Sequence, residues 1–385
     1  MSLLYFNHEH DALRTMVGDF VRQEVTPKID DWEEEGIFPA HKLFKQMGDL
    51  GLLGLVYPEA YGGGGMDYWY QAVFLEEIGR MPCSGVPTAI AVQTDMATPA
   101  LAEHGTEEQK DKFLKPAISG EVVFSIAVSE PDAGSDVASI RTRAVRDGDD
   151  YIINGSKMWI TNGTQADYLT LLARTDDQYG SFKGMSLIVV PTDTSGFSVS
   201  RKLDKLGLRS SDTAILRFDD MRVPVANRIG PEGAGFQLQM QQFQVERLAA
   251  CLISTSAMEE MVKLTVKYCR ERKVFGGSLL KNQWIQFKLA ELQTEIEALK
   301  HLNYFCVRKL VAGQDMTREA SMAKLKGGRL SREVADTCLQ FHGGMGYVEE
   351  YPMARYFRDS RLMSIGGGAD EVMMGIIAKY EGWHK

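Results

Sequence analysis

The sequence predicts an α+β fold, mostly α, laid out as a helical segment, a strand segment and a second helical segment. Three observations carry that prediction. Up to residue 120, apolar residues recur at three- and four-residue spacing, as in Leu13, Met16, Val17, Phe20 and Val21. Over residues 121–232 the period shortens to β-branched runs broken by turn residues. From residue 233 to 385 long helical periods return. Strands and helices do not alternate, and no GxGxxG follows a strand, which argues against the usual nucleotide-binding layout.

Each element follows from its own pattern. In the first segment a second helical run holds Leu43, Phe44, Met47, Leu50 and Leu53, and Gly62–Gly65 punctuate the chain after it. The middle segment reads as strands over Tyr151–Asn154, Tyr168–Ala173, Met185–Val190, Phe197–Ser200 and Ala214–Phe218. In the third, one long helix runs from Phe236 to about Lys273, and others start near Leu279, Thr317 and Asp370. Glycine clusters at Gly230–Gly235, Gly343–Gly346 and Gly366–Gly368 read, each on its own, as loops or caps.

Composition narrows the class. The 385 residues are 44% hydrophobic, enough for a sizeable core and against disorder. A net charge of -9 argues against nonspecific nucleic-acid binding, which needs clustered Lys and Arg to replace phosphate counterions. Cys83, Cys251, Cys269, Cys306 and Cys338 form no CxxC pair and lie in apolar stretches, so buried thiols in a reducing compartment are expected. The histidines, from His8 to His384, show no HExxH or facial-triad spacing, and no metal site is read. Residues 1–8 carry no basic stretch followed by an apolar run, and no window approaches the ~18 apolar residues of a membrane span. The expectation is a soluble, unprocessed protein of the bacterial cytoplasm.

Two motifs give the chain a family. Val128-Ser-Glu-Pro-Asp-Ala-Gly-Ser-Asp136 is similar to the TEPxAGSD signature of acyl-CoA dehydrogenases, and Lys157-Met-Trp-Ile-Thr-Asn-Gly163 resembles their KxWITN strand. Further matches stand in order at Pro58–Gly63 (PEAYGG), Arg272–Gly276 (RKVFG), Gln340–Gly344 (QFHGG), and Arg358 with Asp359. The resemblance covers essentially the whole chain. It implies an N-terminal helical domain (1–120), a small β-barrel-like domain (121–232) and a C-terminal four-helix bundle (233–385). It also implies FAD as cofactor, an acyl-CoA substrate, an electron-transferring flavoprotein as acceptor, and a homotetramer built as a dimer of dimers.

A flavin ring is flat and apolar with a polar rim, so its pocket wants an aromatic wall and hydrogen-bonding groups at the edge. By the resemblance, Trp159 and Thr161 face the flavin. The loop Ile126–Ser135 runs along its edge, with Val128 and Ser129 in contact and Ser135 also near the acyl-CoA. Ile126 stands where some relatives carry an aromatic residue. Ala369 and Glu371 belong to the flavin's ribityl or adenine side. The pyrophosphate needs positive charge and close backbone approach; the resemblance implies that Arg272, Phe275, Gln283, Gln340, Gly343 and Gly344 supply them from a neighbouring subunit. Without the motifs, Trp159 reads as core, Thr161 as a strand former, and Arg272 as one charge in a solvated run.

Oxidising an acyl thioester at Cα and Cβ requires a partly desolvated carboxylate against the α-proton. Many family members place it at the position held here by Gly367, which cannot take a proton. Asp370 reads as the cap of the final helix, and Glu371 lies one turn too far. Glu246, within Gln244–Ala250, resembles the subset that includes isovaleryl-CoA and long-chain acyl-CoA dehydrogenases. There the base sits on the first long bundle helix and the C-terminal position is small. Gln244, Arg247 and Gly367 follow as substrate contacts. The bland alternative for Glu246 is an intrahelical pair with Arg247. Two rival functions stay open: an acyl-CoA oxidase, whose usual extra C-terminal helical domain is missing, and a silent flavin- or CoA-binding scaffold. The segment Ala89–Ala97 is expected to border the acyl tail, with a medium-chain, long-chain or branched substrate. The overall resemblance to bacterial enzymes of the citronellyl-CoA type points to a methyl-branched terpenoid thioester.

Overall fold

The computed structural model describes residues 5–176 and 182–383; the first four residues, read above for a targeting signal, and His384 lie outside that range. The first segment folds as helices α1 (His8–Phe20), α2 (Ala40–Asp49), α3 (Tyr68–Ile78) and α4 (Gly85–Ala91), with shorter turns between. Asn7 caps α1, accepting from Glu9 N and His10 N, and His10 closes the capping box. α3 is buried on all sides from Gln71 to Ile78, its polar residues Gln71, Glu76 and Glu77 included. α4 continues into a π-helical turn, Val92–Ala97, in which every residue is buried.

The middle segment forms strands β1 (Phe124–Ala127), β2 (Arg143–Asp147), β3 (Asp150–Thr161), β4 (Tyr168–Arg174), β5 (Met185–Pro191), β6 (Phe197–Lys202), β7 (Thr213–Pro224) and β8 (Arg228–Ile229). They pair in the order β6-β7-β3-β2-β4-β5-β8, with β1 added in parallel to β4. β3 and β7 run well beyond the expected stretches. Register shifts at Gly155 and between Lys157 and Ile160 interrupt the alternation that marks a strand in sequence. β1 escapes sequence reasoning because its residues are almost all buried and show no period of two.

The third segment holds α5 (Gly235–Glu271), a short hairpin of β9 (Lys273–Val274) and β10 (Gly277–Ser278), then α6 (Gln283–Val311), α7 (Thr317–His342), α8 (Pro352–Ser360) and α9 (Asp370–Tyr380). α5 packs on α6 and α7, and α9 packs on α7. The C-terminal half of α5 joins a bundle core with Met258, Met261, Ile285, Ile296, Val334 and Cys338. Further back, Leu248 and Leu252 belong to a second core shared with the N-terminal helices and the sheet. Glu246 therefore stands where the three segments meet.

Side chains lock that junction. Tyr304 on α6 donates to Glu76 on α3 at 2.6 Å, and Arg80 bridges Glu77 and Glu260. Gln242 on α5 accepts from Ala100 N at 3.1 Å and donates to Met96 O, tying the helix to the π-helical turn. Such buried polar links fix geometry more than they add net stability. One detail departs from expectation. The cap of α9 is Ala369, and Asp370 is its first residue, turned toward Arg332 at 3.4 Å and Arg329 at 3.6 Å. His342 ends α7, buried, stacked on Tyr268 at 4.5 Å and bonded through Nδ1 to Cys338 O. The five cysteines are free and buried. No helix among the described residues is long and apolar enough to cross a membrane.

Candidate active site

The site is assembled from the N-terminal half of α5, the buried face of α7 and the glycine turn before α9. α5 starts flush against β5 because position 235 is glycine. A Cβ there would lie 2.5 Å from the Ser186 carbonyl carbon, a distance no side chain tolerates. About three turns later the helix presents Glu246 to the interior. The Glu246 Oε2 atom is sealed from solvent and has no hydrogen-bond partner. Burial pushes this carboxyl up to about 7, against the opposing pull of Arg247 and Lys324.

Gly367 faces that carboxylate. A Cβ built on it would lie 3.7 Å from Glu246 Oε1 and 3.7 Å from Lys324 Cε. A carboxylate at position 367 and the one on Glu246 would therefore crowd a single space and repel each other as like charges. Arg247 is buried beside the turn, its Nε 3.7 Å from a Cβ placed on Gly368, and that Nε also lacks a partner. Its guanidinium lies 6.0 Å from the Phe243 ring. The intrahelical Glu246–Arg247 ion pair that would make this an ordinary glutamate is not formed among the described residues. Gln244 is half-buried, two residues before the carboxylate.

A second group of expected residues gathers on the sheet. Trp159 sits at the β3 irregularity with φ 67°, a conformation uncommon for a bulky residue, and its side chain is 59% exposed. Ile160 beside it is buried, and Thr161 is half-buried, its carbonyl accepting from Ser125 Oγ at 2.5 Å. The loop after β1 is held against this strand: Met158 N donates to Ser129 O at 2.9 Å, and Lys157 Nζ donates to Val128 O at 2.8 Å. Ile126 and Ser129 are half-buried, Val128 is buried, and Ser135 is exposed.

Sequence reasoning gave no role to the residues that hold this arrangement. Lys157 is fully buried and pairs with Glu130 at 2.9 Å, while Glu130 also accepts from Arg141 N and Thr142 N. Burial brings the Lys157 ammonium down to about 8, with Glu130 pulling the other way. Both residues stand inside the two motifs, which was the available signal. Asn162 is buried with φ 63° and donates to Ala89 O at 3.0 Å, joining the strand to α4.

A third group lies elsewhere. Arg272, Phe275, Gln283, Gln340, Gly343 and Gly344 are all exposed, at the far end of α5 and around the end of α7. Phe275 and Gly276, with φ 47° and 83°, form the two-residue tip of the β9–β10 hairpin, and the Phe275 ring is fully exposed. From Glu246 to Arg272 the helix covers about 40 Å at ~1.5 Å per residue. This rim cannot serve the Glu246 site of its own chain. Ala369 is half-buried at the start of α9, and Glu371 is exposed in its first turn.

These groups fit a flavin. The sheet offers an exposed indole beside a rim of backbone and hydroxyl groups, and the distal rim offers an exposed guanidinium. Gly343 and Gly344 have no atom within 4 Å of a built Cβ, leaving backbone open to close approach. Residues 7–121, 125–221 and 233–381 match the models of the acyl-CoA dehydrogenase N-terminal, middle and C-terminal domains. The chain is similar to the mitochondrial long-chain specific acyl-CoA dehydrogenase of Sus scrofa, 38% identical, with 97% of this chain and 86% of that one covered. It is 35% identical to the mitochondrial isovaleryl-CoA dehydrogenase of Solanum tuberosum, covering 98% and 91%. The crystal structure of acyl-CoA dehydrogenase from Geobacillus kaustophilus superposes with a TM-score of 0.95 at 40% identity, covering 98% and 99%.

Proposed function

The chain belongs to the acyl-CoA dehydrogenase family, flavin-dependent oxidoreductases acting on acyl-CoA, and on that premise we propose that Glu246 removes the α-proton of a long or branched acyl-CoA to give the trans-2-enoyl-CoA. The observation that carries this reading is the Glu246 Oε1 atom 3.7 Å from the point where a side chain at position 367 would begin. Bound FAD would supply the acceptor for the β-hydride. The chain's own work is to present a desolvated carboxylate on one side of the substrate, with Arg247 and Lys324 favouring its ionised form. Val128, Ser129, Trp159 and Thr161 would hold the flavin, with Ile126 at its edge, Ser135 toward the CoA, and Ala369 and Glu371 toward the ribityl side. Gln244 and Arg247 would border the substrate, whose tail would run beside Ala89, Ala91 and Ala97, all fully buried. Electrons would leave to an electron-transferring flavoprotein.

Anaerobic bleaching of the bound flavin by a panel of acyl-CoAs of graded length and branching tests the reading. Rapid bleaching by long or branched members is expected, and no bleaching by any member rejects it. The pH dependence follows from Glu246. With its carboxyl near 7, about a tenth is ionised at pH 6 and about nine tenths at pH 8. The rate of flavin reduction at saturating substrate should therefore climb through neutrality and level off in alkali. A rate flat between those two pH values contradicts the assignment.

The distal rim supports a homotetramer in which Arg272, Phe275, Gln283, Gln340, Gly343 and Gly344 complete the flavin site of another subunit. Exposed Phe275, Trp284 and Tyr347 surround that rim, as expected of a surface that is covered in an assembly. Phe275→Ala combined with Arg272→Ala should lower flavin content per protomer severalfold, read by absorbance after gel filtration. Full occupancy in a monomer of that variant counts against the subunit-sharing arrangement.

A further inference from the structure

We propose that Lys324 is a positioning residue for this reaction: it clamps the turn between α8 and α9 so that the space over Gly367 stays open to Glu246 and the substrate. The inference rests on the assignment of Glu246 as base. Lys324 lies on α7, is 1% exposed, and donates through Nζ to Met363 O at 2.5 Å and Gly368 O at 3.1 Å. Those two carbonyls bracket the glycine run. Between them Gly366, Gly367 and Gly368 have no side chains to pack, and Gly367 and Gly368 take φ values of 63° and 104°. A three-glycine stretch has many alternative paths open to it, so an outside contact must select this one.

The position of Lys324 argues for a role beyond cohesion. Its Cε and the Glu246 Oε1 atom each lie 3.7 Å from the same point, the Cβ that Gly367 lacks. Among the described residues its hydrogen bonds go to carbonyl oxygens and to no carboxylate, so a buried ammonium stands here without the ion pair that normally offsets its desolvation. An apolar contact would fill the same volume at lower cost. The charges that act on Glu246 are Arg247 from its own helix and Lys324 from α7. Lys324 in turn is faced by Cys251 and Arg247 of α5, by Glu246, and by Asp370 of α9. Removing Lys324 leaves Arg247 as the cation favouring the Glu246 carboxylate, so that group should ionise at higher pH.

The test uses flavin-loaded Lys324→Met and Lys324→Gln beside the unchanged protein and Glu246→Gln. Flavin reduction by the best acyl-CoA of the panel is followed from neutral to alkaline pH. At pH 7 both Lys324 variants should reduce about 10- to 100-fold more slowly, the cost of a misplaced reacting geometry. The pH at which the rate levels off should also move upward, and more so for Lys324→Met than for Lys324→Gln. A second readout needs no flavin. The shift in melting temperature that Glu246→Gln produces is followed against pH, once in the unchanged chain and once in the Lys324→Met background. Its inflection should lie higher in the Lys324→Met background. If the rate falls but both pH readouts stay where they are in the unchanged protein, Lys324 is merely structural and the proposal is overturned. An unchanged rate overturns it as well. Bleaching of the unchanged protein, lost in Glu246→Gln, separates failure of this inference from failure of the base assignment.

Discussion

Glu246→Gln should bind FAD and assemble as the unchanged protein does, yet reduce its flavin about 10³- to 10⁴-fold more slowly with the best acyl-CoA. The amide is nearly the same size and enters the same enclosed position, so packing around α5 is preserved. What disappears is the carboxylate that faces Gly367 and that we propose as the base. Stability should move in the opposite direction. A carboxyl raised from 4.5 to about 7 in the folded chain binds more protons folded than unfolded between those values. Its burial cost is therefore absent well below pH 4.5, grows through the window, and is complete above about 7. Glu246→Gln should match the parent's melting temperature in acid and exceed it at pH 8. Substantial residual flavin reduction would sink the base assignment, whatever the melting curves show.

Moving the carboxylate gives the second large effect. Glu246→Gly alone should be as inactive as Glu246→Gln, whereas Glu246→Gly combined with Gly367→Glu should recover at least about tenfold of the lost rate, since a single positioned base is worth two to four orders of magnitude. Geometry makes this possible because the Cβ of a residue at 367 would start 3.7 Å from the position Glu246 Oε1 now occupies. Removing the Glu246 side chain vacates that volume. Recovery should stay partial, because a residue other than glycine at φ 63° costs about 1–2 kcal/mol and loosens the turn. Gly367→Glu without the first change should be poorly active, with two carboxylates crowding one space. If the double variant is no faster than Glu246→Gly under any condition, the two positions do not address one proton.

Much of the architecture was legible in the residues alone. Periodicity separates the helical segments from the strand segment, because 3.6-residue and two-residue spacing are local consequences of backbone geometry. It failed where local signals are weak. The irregularity at Trp159 breaks the alternation of β3, almost complete burial removes it from β1, and α8 is a short helix. Local propensity likewise assigned Asp370 to the cap of α9, while Arg329 and Arg332 draw it into the bundle. The buried Lys157–Glu130 pair was hidden for a related reason. A lysine in a strand and a glutamate in a loop carry no sign that packing will seal them together.

By itself the sequence determined the order of the segments, the family, and the coincidence of a glycine at 367 with a glutamate at 246. Those are properties of residue identity and short-range spacing, which the chain states directly. The tertiary structure alone decided that the two positions meet, that burial lifts Glu246 toward neutrality, that Lys324 stands on the other side of the same gap, and that the Arg272 rim lies too far away to serve its own chain's site. Distance between remote segments and removal of charge from water come from packing, and no window of sequence contains them.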